Sequence, residues 1–250
     1  ATRFGYVIRA HHGTRPLAFD ELRETYSGTI VDLAGPRFEF MNTLFSLSQA
    51  SLYAQLVDRL DSQGLPDVVG YRQLFEAVTE ALDLSHTAGA LKAQIIADPE
   101  RFLETDADLA LTLYDQREAG KTLLLVTNSE WSYTQPMMSH ALDPYLPSGS
   151  TWRDLFDLVI VEARKPAFFS GRQAVYEIVD PAAGLLRPHR GLLERGHVYV
   201  GGDAALVEAG LGLSGAEFLY VGDHLFGDVH VSKAILRWRT ALILRELEGE

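Results

Sequence analysis

Hydrophobic positions in the first third of the chain recur mainly at helical spacing. Apolar residues follow one another at three- and four-residue intervals over residues 44–61, and the turn residues at 64–66 end this pattern. The predicted helices cover residues 44–61, 71–84 and 99–118. A short alternating stretch at 4–9 predicts a strand, which the turn signal at 13–16 ends.

The pattern changes at Lys121, where short continuous apolar runs begin. Such runs are typical of strands that are buried on both faces of a parallel sheet. The predicted strands cover residues 123–126, 155–161, 217–221 and 240–244, and helices are predicted at 170–179 and 228–237. Strands that alternate with helices indicate an α/β fold, in which ligands bind beyond the carboxyl ends of the strands.

Polar residues follow the first two of these strands. Thr127, Asn128 and Ser129 lie at a strand-to-helix junction, where hydroxyl, amide and backbone N–H groups suit an anion. The alternative is an ordinary helix N-cap. Lys165 follows the second strand, where its ammonium either neutralises phosphate oxygens or is simply solvated.

Two carboxylates follow the third strand. Asp223 and Asp228 are five residues apart in a glycine-framed turn, and Mg²⁺ prefers one or two carboxylates together with phosphate oxygens. The alternative for Asp228 is an N-cap of the next helix, a role that Asp223 cannot share. His224 and His230 lack a recognised zinc spacing, so we do not expect them to be ligands.

Two further motifs match known patterns only superficially. Residues 210–215 read Gly-Leu-Gly-Leu-Ser-Gly, but they precede a predicted strand, whereas a dinucleotide-binding loop follows one. Asp106 and Asp108 lie within a predicted helix, so we interpret them as part of a solvated helix face.

Composition and charge narrow the classes of protein. The chain has 250 residues, no cysteine, 47% hydrophobic residues and a net charge of −12, so it can bury a full core without disulfides. The acidic balance argues against nucleic-acid binding, and no apolar run approaches the ~18 residues of a membrane span. The first residues lack a secretory signal and an initial methionine, so we expect a cytoplasmic protein whose sequence is processed or begins downstream of its true start.

The ordered motifs resemble a known superfamily. A strand with Thr-Asn-Ser, a strand with Arg-Lys-Pro and a strand with Gly-Asp-x₄-Asp resemble motifs II, III and IV of the haloacid dehalogenase superfamily. VTNSEWSYT, VEARKPAFF and YVGDHLFGDV, with Asn42-Thr43-Leu44-Phe45 and Asp83-Leu84-Ser85-His86 upstream, resemble the cytosolic purine 5′-nucleotidase family over about residues 3–240. That family hydrolyses IMP- and GMP-type nucleotides.

This resemblance implies a fold and a domain plan. We expect a Rossmann-like parallel sheet core of the haloacid dehalogenase type with a mostly helical cap. The cap would cover residues 20–103, and the core residues 104–250 together with 1–19. We also expect a homo-oligomer that binds a purine nucleoside monophosphate and neither nucleic acid nor membrane.

The resemblance also implies roles for the residues of the core. Thr127 would bind the transferring phosphoryl group, with Asn128 and Ser129 beside it. Lys165 would neutralise the phosphate and the nucleophile, Asp223 would ligate Mg²⁺, and Asp228 would support the metal site.

In the cap, the resemblance implies that Phe45 stacks on the base. Asp83, His86 and Lys92 would line the nucleoside and phosphate pocket. Ser46 and Thr79 stand where the purine enzymes carry Asn and Arg, so the resemblance does not fix the base.

One element of the family's mechanism is missing from the 250 residues. The family carries a DxDx[TV] strand, whose first Asp attacks phosphorus to form an aspartyl phosphate and whose second Asp acts as acid and base. The family places this element before a stretch that matches residues 3–6, so we expect the nucleophile upstream and a sheet without its central strand.

Four explanations stay open at this point. The sequence is a fragment of an active nucleotidase, the strand comes from another chain, or the protein is a nucleotide-binding module without catalysis. The fourth is a related phosphatase that acts on another phosphomonoester.

Overall fold

The computed structural model describes residues 2–3, 5–31, 38–39, 41, 44–87, 90–224, 228 and 232–244. It is a mixed α/β protein whose chain forms two units, Ala1–Ala90 and Leu91–Glu248. The prediction of an α/β fold is confirmed, whereas the assignment of residues 20–103 to a cap and the rest to a core stays a prediction.

The first unit is mostly helical. Its strands are β1 (Thr2–Arg3), β2 (Tyr6–Val7), β3 (His11–His12) and β4 (Arg15–Pro16), and its helices are α1 (Phe19–Tyr26), α2 (Leu44–Gln63) and α3 (Tyr71–Thr87). The helices predicted at 44–61 and 71–84 are confirmed. Residues 4–9 form no single strand, because Gly5 takes a left-handed φ of 83° and turns the chain between β1 and β2.

The second unit contains the main sheet. Its helices are α4 (Ala90–Ala97), α5 (Ala107–Glu118), α6 (Trp131–Leu142), α7 (Trp152–Leu155), α8 (Ala167–Ser170) and α9 (Ala204–Leu211). Its strands are β5 (Leu124–Val126), β6 (Leu158–Val161), β7 (Val175–Asp180), β8 (Leu185–Pro188), β9 (Val198–Gly201), β10 (Leu219–Gly222) and β11 (Arg239–Leu242). Short 3₁₀ turns cover Pro99–Arg101, Asp143–Tyr145 and Gly215–Glu217, and a π-helical segment covers Ser232–Leu236.

The strands of the second unit form two sheets. The larger has the order β5-β6-β9-β7-β8, and the smaller pairs β10 with β11. β5, β6 and β9 run parallel, as do β10 and β11, whereas β7 is antiparallel to both β8 and β9. The predicted parallel sheet is therefore mixed, because the β7–β8 hairpin adds two antiparallel strands to one edge.

Strand β6 lies at the centre of the core. Successive side chains of a strand point to opposite faces of the sheet. Leu158 and Ile160 pack with Phe168 and Tyr199 on one face, and all four are at least 98% buried. On the other face, Val159 packs in a cluster with Trp152, Leu155 and Val198. Burial on both faces explains why this strand is a continuous apolar run in the sequence.

Several predicted elements are wrong in extent or type. The helix predicted at 170–179 is wrong, because α8 ends at Ser170 and the β-branched and aromatic run from Val175 forms β7. The strand predicted from 155 begins only at Leu158, since Trp152–Leu155 is helical. Within the helix predicted at 228–237, the structure describes a π-helical segment at Ser232–Leu236.

The helix predicted at 99–118 is divided in two. Pro99–Arg101 is a 3₁₀ turn, and α5 starts after Asp106, whose side chain accepts a hydrogen bond of 2.9 Å from the backbone N–H of Asp108. Asp106 is therefore an N-cap. The glycine motif at 210–215 closes a helix: α9 ends at Leu211, and Gly212 takes the left-handed C-cap conformation with φ 65°.

A helix that spans a membrane needs about 20 consecutive, mostly apolar residues. Within the described ranges, no helix is long and apolar enough to cross a bilayer.

Candidate functional site

A groove of about 340 Å³ separates the two sheets between β5 and β10. β5 is the edge strand of the larger sheet, and β10 pairs only with β11 among the described strands. The groove has apolar walls, and Leu219 and Val221 of β10 are 61% and 55% exposed. Among the described residues, two strands therefore present unpaired backbone edges and apolar side chains to one groove.

Three of the predicted site residues line this groove: Lys165, Asp223 and Asp228. They follow different strands, β6 for the lysine and β10 for the two aspartates. Thr127 directly follows Val126, the last residue of β5, which also lines the groove. The structure thus brings the predicted residues of the core to the carboxyl ends of β5, β6 and β10.

The turn after β5 is bonded to the loop after β6. The backbone N–H of Thr127 donates to the carbonyl of Ile160 at 2.9 Å, and its carbonyl accepts from Ala163 at 2.9 Å. Its Oγ1 accepts from the backbone N–H of Ser129 at 3.1 Å, and the Ser129 carbonyl accepts from Glu162 at 2.9 Å. This turn therefore has a fixed position relative to the segment that carries Lys165.

Asn128 binds the backbone of Lys165 directly. Its Oδ1 accepts from the Lys165 N–H at 2.6 Å, and its Nδ2 donates to the Lys165 carbonyl at 3.1 Å. Both ends of the amide are used in this contact, so the side chain fixes the lysine. A substrate-binding role for Asn128 and Ser129 stays a prediction.

The loop before Lys165 has an unusual backbone. Glu162 and Arg164 take left-handed φ angles of 49° and 58°, a region that residues with side chains seldom adopt. Residues with side chains keep a left-handed φ only where contacts with the surrounding structure hold the backbone in place. Such residues are common at functional sites. Here the contacts from Thr127, Asn128 and Ser129 hold the loop.

Lys165, Tyr220 and Asp228 form a closed triangle. The Lys165 Nζ lies 3.0 Å from both the Tyr220 hydroxyl and Oδ1 of Asp228, and the tyrosine hydroxyl donates to that oxygen at 3.0 Å. The other carboxylate oxygen of Asp228 accepts from the backbone N–H of His224 at 3.2 Å. Asp228 is buried and fully hydrogen-bonded, so it orients the lysine.

Gly222 is required for this arrangement. A Cβ atom at this position would lie 2.6 Å from Cβ of Asp228, which is closer than real carbon atoms approach. The absence of a side chain at the end of β10 therefore lets the buried aspartate pack against the strand.

The triangle also perturbs Tyr220. Burial raises the pKa of its hydroxyl, and the negative charge of Asp228, its hydrogen bond and the charge of Asp223 raise it further. Tyr220 therefore stays protonated and remains a donor to Asp228. Sequence analysis missed this residue; the available signal was one hydroxyl in the otherwise apolar strand Leu219–Gly222.

The carboxylates fit a magnesium site in type and number. Asp223 is exposed at the groove, whereas both oxygens of Asp228 are engaged by protein groups. Mg²⁺ takes one or two protein carboxylates and completes its shell with water and phosphate oxygens. Among the described residues there is no cluster of three or more His, Asp or Glu that could hold a metal by itself. Among the described groove residues, Asp223 is therefore the carboxylate that a metal ion could reach.

The predicted cap residues fall in different parts of the structure. The side chain of Phe45, in α2, lies outside the described part. Asp83 is exposed on α3, and His86 on the same helix donates from Nδ1 to the carbonyl of Leu82 at 2.8 Å. Both belong to the first unit.

Lys92 belongs to the second unit. It forms an ion pair with Glu130, the residue that follows Ser129, and its Nζ lies 5.0 Å from the centre of the Tyr133 ring. Lys92 is thus linked to the start of α6. Its predicted role in the substrate pocket stays a prediction.

Fold and groove together define a mixed α/β protein with charged and hydroxyl groups gathered at the ends of three strands. A sequence model of the 5′ nucleotidase family matches residues 1–250, and the chain belongs to this family. It is 32% and 31% identical to the proteins named 5′-nucleotidase domain-containing protein 2 from Rattus norvegicus and Homo sapiens. It is 30% identical to a 5′-nucleotidase domain-containing protein of Dictyostelium discoideum.

Each of these matches covers 96% of the chain. The chain spans 44%, 46% and 41% of the three relatives, which is less than half of their length.

Proposed function

We propose that the protein hydrolyses nucleoside 5′-monophosphates and releases inorganic phosphate. The observation that carries this proposal is the groove on which Lys165, Asp223 and Asp228 meet, beside the turn that begins at Thr127. Membership in the 5′ nucleotidase family supports the same reaction. We also propose that the second unit, which contains the groove, is a core of the haloacid dehalogenase type.

Lys165 would neutralise the transferred phosphoryl group. Its ammonium has three N–H donors, and the Tyr220 hydroxyl and the Asp228 carboxylate occupy two of them. The third donor is available to a phosphate oxygen in the groove. Since the ion pair holds the charge in place before substrate binds, little reorganisation is needed during the reaction.

Thr127 would contribute a hydroxyl donor. Its Oγ1 already accepts from the Ser129 N–H, which orients the oxygen and leaves its own hydrogen for a phosphate oxygen. The turn also precedes α6, and the N-terminal end of a helix favours an anion.

Asp223 would hold Mg²⁺, with Asp228 behind it as the group that orients Lys165. A bound Mg²⁺ would withdraw charge from the phosphoryl oxygens. The exposed position of Asp223 at the end of β10 supports this assignment.

The groove itself would seat the strand that carries the nucleophile. A strand between β5 and β10 would satisfy both free edges, and its carboxyl end would lie beside Lys165 and Asp223. The first Asp of a DxDx[TV] strand would attack phosphorus as the ester P–O bond breaks, and the second Asp would protonate the leaving ribose oxygen. The second Asp would then take a proton from a water that attacks the aspartyl phosphate, which breaks the bond to the first Asp and releases inorganic phosphate. Such a strand would come from the full-length protein or from another chain.

The proposed substrate is a purine nucleotide. Phe45 would stack on the base, and Asp83 and His86 would contact the nucleoside. His86 donates from Nδ1 to the carbonyl of Leu82, which fixes the orientation of its ring on α3.

The test is phosphate release from IMP and GMP by the protein at its full natural length with Mg²⁺. We expect turnover, loss of at least 100-fold in Asp223→Asn, and unchanged turnover in Asp115→Asn, which removes an exposed carboxylate from α5. A folded full-length protein that releases no phosphate from IMP, GMP or p-nitrophenyl phosphate overturns the proposal. Equal activity of Asp223→Asn and wild type overturns the metal assignment.

A nucleotide-binding module without hydrolysis is the second candidate. It is favoured by one observation: the carboxylates among the described groove residues are Asp223 and Asp228, and Asp228 is engaged by Lys165 and Tyr220. Asp228 is then no free nucleophile, and Asp223 is the residue assigned to the metal ion. Calorimetry that finds IMP binding by the full-length protein, without phosphate release over hours, supports this candidate.

A further inference from the structure

Helices α2 and α3 pack side by side in the first unit with a regular pairing of positions. The rings of Tyr53 and Phe75 lie 5.5 Å apart, and Nε2 of Gln49 donates to Oγ1 of Thr79 at 2.8 Å. From the first pair to the second, the residue number falls by four on α2 and rises by four on α3. The two helices therefore run antiparallel, and about one helical turn separates successive pairs.

The next pair of positions along these two helices is 45 and 83. Both positions lie within the helices, since α2 begins at Leu44 and α3 extends to Thr87. Residues 45 and 83 are also the ones that the proposed function assigns to the base and the nucleoside. Continuation of the pairing by one turn therefore places Gln49 and Thr79 next to the proposed position of the base.

The hydrogen bonds of Thr79 fix the orientation of the Gln49 amide. The Thr79 hydroxyl donates its only hydrogen to the carbonyl of Phe75 at 2.9 Å, so its oxygen can only accept from Gln49. The group of the amide that contacts Thr79 is therefore the NH₂. The amide oxygen, Oε1, takes no part in this contact.

Oε1 of Gln49 is an accessible acceptor. Gln49 is half-buried, and Oε1 has no hydrogen-bond partner among the described residues. Within the described part of the chain, the one side-chain polar atom that is both buried and without a partner belongs to Arg153, so Oε1 of Gln49 reaches solvent. A ligand can therefore donate a hydrogen bond to this oxygen without displacing a protein group.

We propose that Gln49 recognises the base of the nucleotide by accepting a hydrogen bond from an N–H group on its Watson–Crick edge. This inference rests on the proposed function, because Phe45 and Asp83 define where the base lies. Hypoxanthine and guanine supply the N–H at ring position 1, and adenine supplies its 6-amino group, whereas unsubstituted purine has no donor on this edge. A base without the donor would cover Oε1 and leave it unpaired, which weakens binding.

The test is calorimetry of nucleotide binding by the full-length protein in EDTA, which prevents magnesium-dependent turnover. We expect IMP to bind about tenfold more tightly than purine riboside 5′-monophosphate, which has the same ring system but no N–H on this edge. Titrations with GMP and AMP then distinguish the ring N–H from the 6-amino group as the preferred donor.

Matched variants test the glutamine. Gln49→Leu should reduce the preference for IMP over purine riboside 5′-monophosphate to about twofold or less, because it removes the acceptor and keeps a side chain of similar size. Gln63→Leu, which changes an exposed residue at the end of α2, should leave the preference unchanged.

Equal binding of IMP and purine riboside 5′-monophosphate by the wild type overturns the proposal, as does absence of IMP binding or an unchanged preference in Gln49→Leu. If Gln49→Leu does not fold, the comparison of the two nucleotides on the wild type decides. Phosphate release with Mg²⁺ is measured separately. A protein that binds IMP with the expected preference but releases no phosphate overturns the proposed hydrolysis and supports base recognition by Gln49.

Discussion

The ammonium of Lys165 lies 3.0 Å from Oδ1 of Asp228, and the two side chains are only 17% and 5% exposed. A buried ion pair of this kind stabilises a structure little by itself, but loss of one partner leaves a buried charge without compensation. The two aspartates that follow β10 therefore have different physical roles, one buried and one exposed.

Asp228→Asn should lower the free energy of unfolding by about 3 kcal/mol, because the ammonium of Lys165 loses its counter-charge. Asp223→Asn is the matched control, and it should change stability by about 0.5 kcal/mol or less, since Asp223 is exposed. Urea unfolding of both variants measures the difference. Equal losses in the two variants would contradict the structural role given to Asp228.

Tyr220 should make stability depend on pH in the alkaline range. Its folded pKa lies above the ordinary value of 10.0, so above pH 10 the unfolded chain loses a proton that the folded protein keeps. Stability is then fully present below pH 10 and falls as the pH rises, by about 1.4 kcal/mol per pH unit from this group.

The measurement is the urea midpoint of wild type and Tyr220→Phe at pH 9, 10.5 and 11. The Phe variant should lose less stability over this interval than the wild type. Tyr176→Phe, which changes a more exposed tyrosine on β7, serves as the control. Parallel curves for wild type and Tyr220→Phe would rule out a raised pKa.

Gly222→Ala should displace Asp228. The new Cβ would lie 2.6 Å from Cβ of the aspartate, and crowding of this kind costs about 1–3 kcal/mol. Gly70→Ala is the control, because no heavy atom lies within 4 Å of its added Cβ and neither glycine has a left-handed φ. The thermal unfolding temperature and the rate of phosphate release should both fall in Gly222→Ala and stay unchanged in Gly70→Ala. A Gly222→Ala variant with wild-type values would contradict the close packing of Asp228 against β10.

Asn128→Ala should make the position of Lys165 less fixed. The substitution removes two hydrogen bonds to the Lys165 backbone, which together stabilise this exposed turn by about 1–2 kcal/mol. We expect inorganic phosphate to inhibit this variant more weakly, with a higher inhibition constant, and we expect lower stability. Gln116→Ala, at an exposed amide on α5, should change neither quantity; unchanged phosphate inhibition in Asn128→Ala would show that the turn holds Lys165 by other contacts.

Phe45→Ala tests the proposed base contact. Loss of a stacked ring should raise KM for IMP by about tenfold while KM for p-nitrophenyl phosphate stays constant. Phe19→Ala is the control, since the Phe19 side chain is 70% exposed on α1. An equal rise for both substrates would indicate that Phe45 contributes to folding.

The strands that lead to the candidate site were predictable because each coincides with or overlaps a short apolar run in the sequence. β5, β6, β10 and β11 all lie within three residues of their predicted bounds. β7 was mistaken for a helix, since its Glu177 breaks the apolar pattern. That carboxylate is buried because Arg187 and His197, ten and twenty residues further on, form hydrogen bonds with it. Such pairing is not visible in a local window of the sequence.

In the candidate site, too, contacts between residues that are distant in the chain could not be predicted from the sequence. Thr127, Lys165 and Asp223 could be located from their positions after predicted strands. Tyr220 could not, because its role depends on Lys165, which lies 55 residues away in the chain. Position along a strand is a local property, whereas a hydrogen-bond partner is set by the tertiary fold.

The separation of β5 and β10 has a consequence for hydrogen exchange. β5 and β10 lie in separate sheets, and each presents an edge to the groove. The protection of their amides from exchange should therefore depend on the local opening of each sheet separately. A strand seated between them would bond to both edges and join two sheets into one cooperative unit. The amides of Leu124–Val126 and Leu219–Gly222 should then exchange at a single slow rate, and the two sheets would unfold together.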